Sequence, residues 1–164
     1  MVAPSNNPVV FVIHNSQLGS HFLPVEGDSS RTTGPLEGLS IGDVPSRRRV
    51  LVVDDVSDVT EMLSVLLTHA GYEVTTASSA QEAIALARST RFEMIVSDIG
   101  MPEMNGYELA QALRSESGYE SVPMVAVTGY SMFDDRNRSL TAGFDAHVTK
   151  PIDPRAFLSL IEQL

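Results

Sequence analysis

Apolar and polar positions change character at residue 49. Before it, Pro4, Pro8, Pro24, Pro35 and Pro45, mixed with Ser, Thr, Asn and Gly, break any sustained periodicity. Residues 1–48 therefore read as a flexible or weakly ordered extension. Only Val9–Ile13 and Phe22–Val25 offer a short strand or an apolar contact. From residue 49 to 164 the pattern is that of a folded domain. Val50–Val53 is a short apolar run fit for a strand buried on both faces. Val59, Met62, Leu63, Leu66, Leu67 and Ala70 then recur at helical spacing and stop at Gly71. Tyr72–Ala77 reads as a second strand, and Ser79 to Glu82 has capping-box spacing ahead of a helix over Ala80–Ser89. Strands are predicted at Phe92–Ser97, Pro123–Val127 and His147–Thr149, and helices at Gly106–Ser115, Asp134–Ala142 and Pro154–Leu164. Pro154 suits the first turn of the last helix.

Five strands alternating with five helices imply an α/β fold, a doubly wound parallel sheet covered on both faces. At about 115 residues such a domain is large enough to fold alone.

In a sheet of this kind ligands gather beyond the carboxyl ends of the strands. Four of the five predicted strands end in chemically useful residues: Asp54-Asp55, Asp98, Thr128 and Lys150-Pro151. Burial gives no reason for polar residues at the ends of these apolar runs. Two carboxylates about 4 Å apart repel by roughly 4 kcal/mol at an effective dielectric near 20. Three held together call for a cation or a shared proton. Oxygen donors without a nearby histidine or cysteine suit Mg2+. A bound divalent ion lets a carboxylate approach an electrophilic phosphorus, while Thr128 and Lys150 can meet phosphoryl oxygens. The set describes a phosphoaspartate site.

Charge and composition narrow the options. The net charge is -10, and residues 50–164 carry all of it, with 17 acids against 7 bases. Such a surface repels nucleic acid. Lys150 is the single lysine. There is no cysteine, which excludes a disulfide framework and a thiolate nucleophile and suits a cytoplasmic location. The run Val9–Ile13 is too short to span a membrane and lacks the flanks of a secretory signal. His14, His21 and His69 have no partner at ligand spacing and fit surface or packing roles. Met62, Met94, Met101 and Met124 fit core or loop packing.

The segments LVVDD (51–55), SDIGMPEMNGYEL (97–109), VAVTGY (125–130) and VTKPID (148–153) resemble the signature blocks of the receiver domain of two-component response regulators. The likeness covers about 50–164. It implies a flavodoxin-like (βα)5 fold with strand order 2-1-3-4-5. It further implies Asp98 as phosphoacceptor, Asp54, Asp55, Asp98 and the Gly100 backbone carbonyl as Mg2+ ligands, and Thr128 and Lys150 as phosphoryl contacts. The Lys150–Pro151 bond is expected to be cis. The implied partner is a histidine kinase or a histidine phosphotransfer protein, with no nucleic acid and no membrane. A homodimer through the face made by the 134–142 helix, the 147–149 strand and the 154–164 helix is a further possibility.

His147 stands three before the lysine, where the family commonly has an aromatic switch residue. It could act as the switch together with Thr128, add pH sensitivity, or be a silent surface histidine. Gly100 and Tyr130 occupy positions that in this family influence loss of the phosphoryl group. Met132-Phe133 could be a partner contact or core packing.

With the last helix ending at Leu164, no output domain is expected. That leaves a stand-alone regulator, a relay intermediate or the terminal receiver of a hybrid kinase. Two other readings stand beside these: a pseudo-receiver that binds without phosphorylation, and an aspartyl-phosphate phosphatase. The dehalogenase-type phosphatase wants a second Asp two residues after the nucleophile, where this chain has Gly100.

Overall fold

The structure is a computed structural model that describes residues 10–12, 47–129, 138–139 and 141–164. Tyr130, Met132-Phe133, His14, His21 and Phe22–Val25 lie outside the described residues, as does most of the predicted 134–142 helix. Residues 138–139 and 141–142 are helical.

The described strands are β1 (Val10–Val12), β2 (Arg49–Val53), β3 (Glu73–Ala77), β4 (Met94–Asp98), β5 (Met124–Thr128) and β6 (Ala146–Thr149). The helices are α1 (Ser57–His69), α2 (Ala80–Ser89), α3 (Gly106–Arg114) and α4 (Pro154–Ile161). The sheet runs β1-β6-β5-β4-β2-β3. Its five strands from β2 onward are parallel, which is the order 2-1-3-4-5 when they are counted from β2. The sixth, β1, lies antiparallel on β6. It falls within Val9–Ile13, one of the two N-terminal stretches whose apolar pattern allowed a short strand.

Alternation along β2 builds two cores at once. Val50 and Val52 face a layer that includes Leu63 and Leu67 of α1 and Phe157, Leu160 and Ile161 of α4. Leu51 and Val53 face Ala83 and Ala87 of α2, Leu109 and Leu113 of α3, and Phe92. Each large side chain buried this way contributes about 1.5–3 kcal/mol. Met94, Met101 and Met124 are buried. Met62 differs from its apolar reading: it is 43% exposed, as are Val56 and Val65 to similar degrees, on the outer side of α1.

The caps hold the helix starts that border the strand ends. Ser79 Oγ accepts the Glu82 N–H at 3.2 Å, but the Glu82 carboxylate takes both donors of Ser78 rather than the Ser79 N–H. Those bonds, the backbone one foremost, hold the Glu82 carboxyl below its usual pKa. A full capping box forms instead at α3, between Asn105 and Glu108. Asp153 caps α4, with Pro154 in its first turn.

Arg114, at the end of α3, fastens the opposite edge of the sheet. Its guanidinium donates to the carbonyls of Gly143, Tyr119 and Val122 and to Asp145 Oδ2 at 2.8 Å. Asp145 Oδ2 also accepts the Met124 N–H. One side chain thus sets where β5 and β6 begin. Arg114→Ala is expected to cost roughly 2 kcal/mol, less than a fully dry pair because water reaches both partners. Urea denaturation checks this: a midpoint unchanged from wild type contradicts it.

Candidate functional site

The apolar strands β2, β4, β5 and β6 deliver their last residues to one edge. Asp54 follows β2 directly, with its N–H donating to Ala77 O at 3.2 Å. Its Oδ1 accepts the Val56 N–H at 2.9 Å, which fixes the carboxylate at the start of α1. Asp98 is the last residue of β4 and Thr128 the last of β5, and both are buried. Asp54 is 2% exposed, whereas Asp55 beside it is exposed. Thr128 O accepts the Lys150 N–H at 2.7 Å, so the ends of β5 and β6 are tied together. The Lys150–Pro151 bond is cis.

Lys150 crosses the edge and bridges two of the acids. Its Nζ lies 2.9 Å from Asp54 Oδ2 and 3.0 Å from Asp98 Oδ1. Carboxylate oxygens of Asp54, Asp55 and Asp98 all lie within 4.8 Å of one another. One ammonium against three carboxylates leaves the cluster short of positive charge. Burial holds the Asp98 carboxyl above its usual pKa, against the Lys150 ammonium and the Gly100 N–H, with the Asp54 charge adding to the rise. Burial also draws Lys150 down, but its bonds to Asp54 and Asp98 outweigh that and leave it above its ordinary value. Three oxygen donors, two of them buried and under-neutralised, match the preference of a hard divalent cation such as Mg2+.

Gly100 sits beside Asp98: a Cβ placed on it would stand 3.5 Å from Asp98 Oδ2, an ordinary contact. His147 is not drawn into the cluster. It is buried in β6, with Nδ1 3.3 Å from Ser139 Oγ, so the surface reading of this histidine falls. Its neighbours Ala146 and Val148 are buried as well, as in a strand covered on both faces.

Gly106 is a determinant that the motif does not explain. A Cβ there would lie 2.3 Å from Asp98 O and 2.8 Å from Ile99 Cα. The Gly106 N–H donates to Ile99 O at 3.0 Å. The start of α3 thus rests directly on the backbone that carries Asp98. An Asn-Gly pair signals a turn in sequence, but its packing on the end of β4, about eight residues earlier, leaves no mark in the pattern.

Residues 50–162 match the family described as response regulator receiver domain. The chain belongs to the receiver domain family. It is 39% identical over 114 residues to an uncharacterized 14.6 kDa protein of Leptolyngbya boryana, covering 70% of this chain and 87% of that protein. It is 41% identical over 102 residues to the probable transcriptional regulatory protein TcrX of Mycobacterium tuberculosis, covering 62% of this chain and 43% of that one. It therefore spans less than half the length of the latter. Among solved structures, the Vibrio cholerae chemotaxis protein CheY4 superposes with a TM-score of 0.69 at 34% identity, covering 71% of this chain and 98% of that chain. Receiver domains are signalling domains of two-component systems, which work with histidine kinases and phosphotransfer proteins. Among the described residues of this receiver, no helix is long and apolar enough to cross a membrane.

Proposed function

We propose that residues 49–164 are a phosphoacceptor receiver that takes a phosphoryl group from a phosphohistidine onto Asp98, with residues 1–48 as an N-terminal extension. The observation that supports this most is the Lys150 ammonium bridging Asp54 Oδ2 and Asp98 Oδ1 at 2.9 and 3.0 Å, beside Asp55. It keeps a buried carboxylate ready at the edge where a donor arrives. Asp54, Asp55 and Asp98 would hold Mg2+, with the Gly100 carbonyl as a further ligand. When bound, the ion supplies the charge that lets one anion approach another.

In this mechanism an Asp98 carboxylate oxygen attacks the phosphorus in line. The P–N bond of the phosphohistidine breaks, and its electron pair leaves on the imidazole nitrogen. Lys150 exchanges its bond to Asp98 for one to a phosphoryl oxygen, while it remains close to Asp54. The Thr128 hydroxyl donates to another phosphoryl oxygen. A charge-assisted bond of this sort contributes about 1.5–3 kcal/mol. That shifts a two-state balance by roughly one to two decades, enough to move Thr128, His147 and the β6–α4 face between two arrangements. The output is a change in protein partner affinity, and the receiver is not a turnover enzyme.

The test is intact mass after incubation with acetyl phosphate. One phosphoryl group per chain is expected with magnesium, and none when the ion is chelated. No adduct with magnesium, together with no binding of beryllofluoride, would leave a receiver that binds partners without phosphorylation.

A further inference from the structure

Without β1, the parallel sheet would end at β6 with an open edge. Lys150 N–H donates to Thr128 O on β5. Strand alternation turns the Val148 N–H the same way and the His147 N–H the opposite way, outward from the sheet. An open edge of this kind invites pairing with another chain. Here the outward side is taken by Val10–Val12, in register Val10↔Val148, Phe11↔His147 and Val12↔Ala146. Val-Phe-Val is a sequence with high strand preference.

We propose that Val10–Val12 is a detachable self-cap, and that it must leave before another chain can pair with the β6 edge. Two magnitudes favour the intrachain strand over the same strand of a second copy. Residues 13–48, 36 in all, separate β1 from β2. Extended, they reach about 120 Å, while the path across four strand spacings is only about 19 Å. A tether of adequate reach presents its strand at a local concentration on the order of millimolar, which a second copy in trans rarely matches. The capped strand is also the one that runs into Lys150, so the cap lies against the element that positions the site's ammonium.

Phe11→Pro tests the cap in the full chain. Phe11 faces His147 in the ladder, so proline removes a backbone donor at that pair. Amide hydrogen exchange at His147 is expected to speed up by roughly tenfold or more, the loss of two net hydrogen bonds. Val148, bonded toward β5, is expected to keep its wild-type rate. A synthetic peptide of residues 8–14, added in trans, should bind the variant at least about tenfold more tightly than wild type and restore His147 protection. Unchanged His147 exchange would overturn the proposal, as would equal peptide binding by both proteins or by neither. A rise that included Val148 would also overturn it, because β1 would then be part of the domain's folding unit and not a cap.

Discussion

An Asp98→Asn receiver is expected to gain no mass from acetyl phosphate and magnesium, and yet to melt at a higher temperature than metal-free wild type. The first outcome follows from chemistry: an amide oxygen is too weak a nucleophile to displace the leaving group. The second follows from the site. Burial, with the Asp54 charge adding to it, raises the pKa of Asp98, and Lys150 and Gly100 only partly offset the rise, so its folded pKa lies above the unfolded value. A carboxyl with a raised folded pKa binds its proton more tightly in the native state. Wild type therefore loses stability as pH rises from the ordinary carboxylate range, near 3.9, through the raised value. Below that range Asp98 is neutral in both states, and its titration no longer separates the two proteins. Thermal melts at acid and neutral pH check the sign: a variant less stable than metal-free wild type at neutral pH contradicts it. Magnesium is expected to reverse the order, since binding to the native state stabilises wild type in proportion to saturation and the variant lacks one charged donor.

The strand ends were legible because polar residues there interrupt apolar runs that have no other reason to stop. Asp98 and Thr128 prove to be the last strand residues themselves, one position beyond the predicted ends at Ser97 and Val127. The same rule could not tell Asp54 from Asp55. Adjacent side chains on an extended backbone point to opposite sides, and only the folded sheet decides that Asp54 is the one buried against Lys150. Contacts across long separations were silent. Nothing local marks Arg114 as the clasp on Asp145, or β6 as the strand that Val10–Val12 would join. By sequence His147 fits a switch, a pH-sensitive group or a silent surface histidine, since its position alone does not say what packs on it. Its burial against Ser139 comes from helical residues that follow β5.

Gly106→Ala shows how far local propensity and packing can disagree. Alanine is the better helix former by up to about 1 kcal/mol, and Gly106 is not among the positive-φ glycines, so sequence rules favour the change. Packing opposes it. The new Cβ would meet Asp98 O at 2.3 Å and Ile99 Cα at 2.8 Å. Both are backbone atoms at the end of a fully buried strand, with no side-chain rotation to relieve the clash. Overpacking in a core typically costs 1–3 kcal/mol, and here the strain falls on main chain, so a loss of about 3 kcal/mol is expected. The domain can avoid it only by lifting α3 off the Asp98–Ile99 peptide, which also breaks the Gly106 N–H bond to Ile99 O. That movement would shift the carboxylate away from Lys150 and the phosphoryl position. A displacement near 1 Å at a reacting centre costs on the order of a hundredfold in rate. The alanine variant should therefore show both a lower urea midpoint and slower phosphoryl uptake. Stability lost with uptake rate kept would mean that α3 and Asp98 move independently, and neither lost would mean that the contact yields.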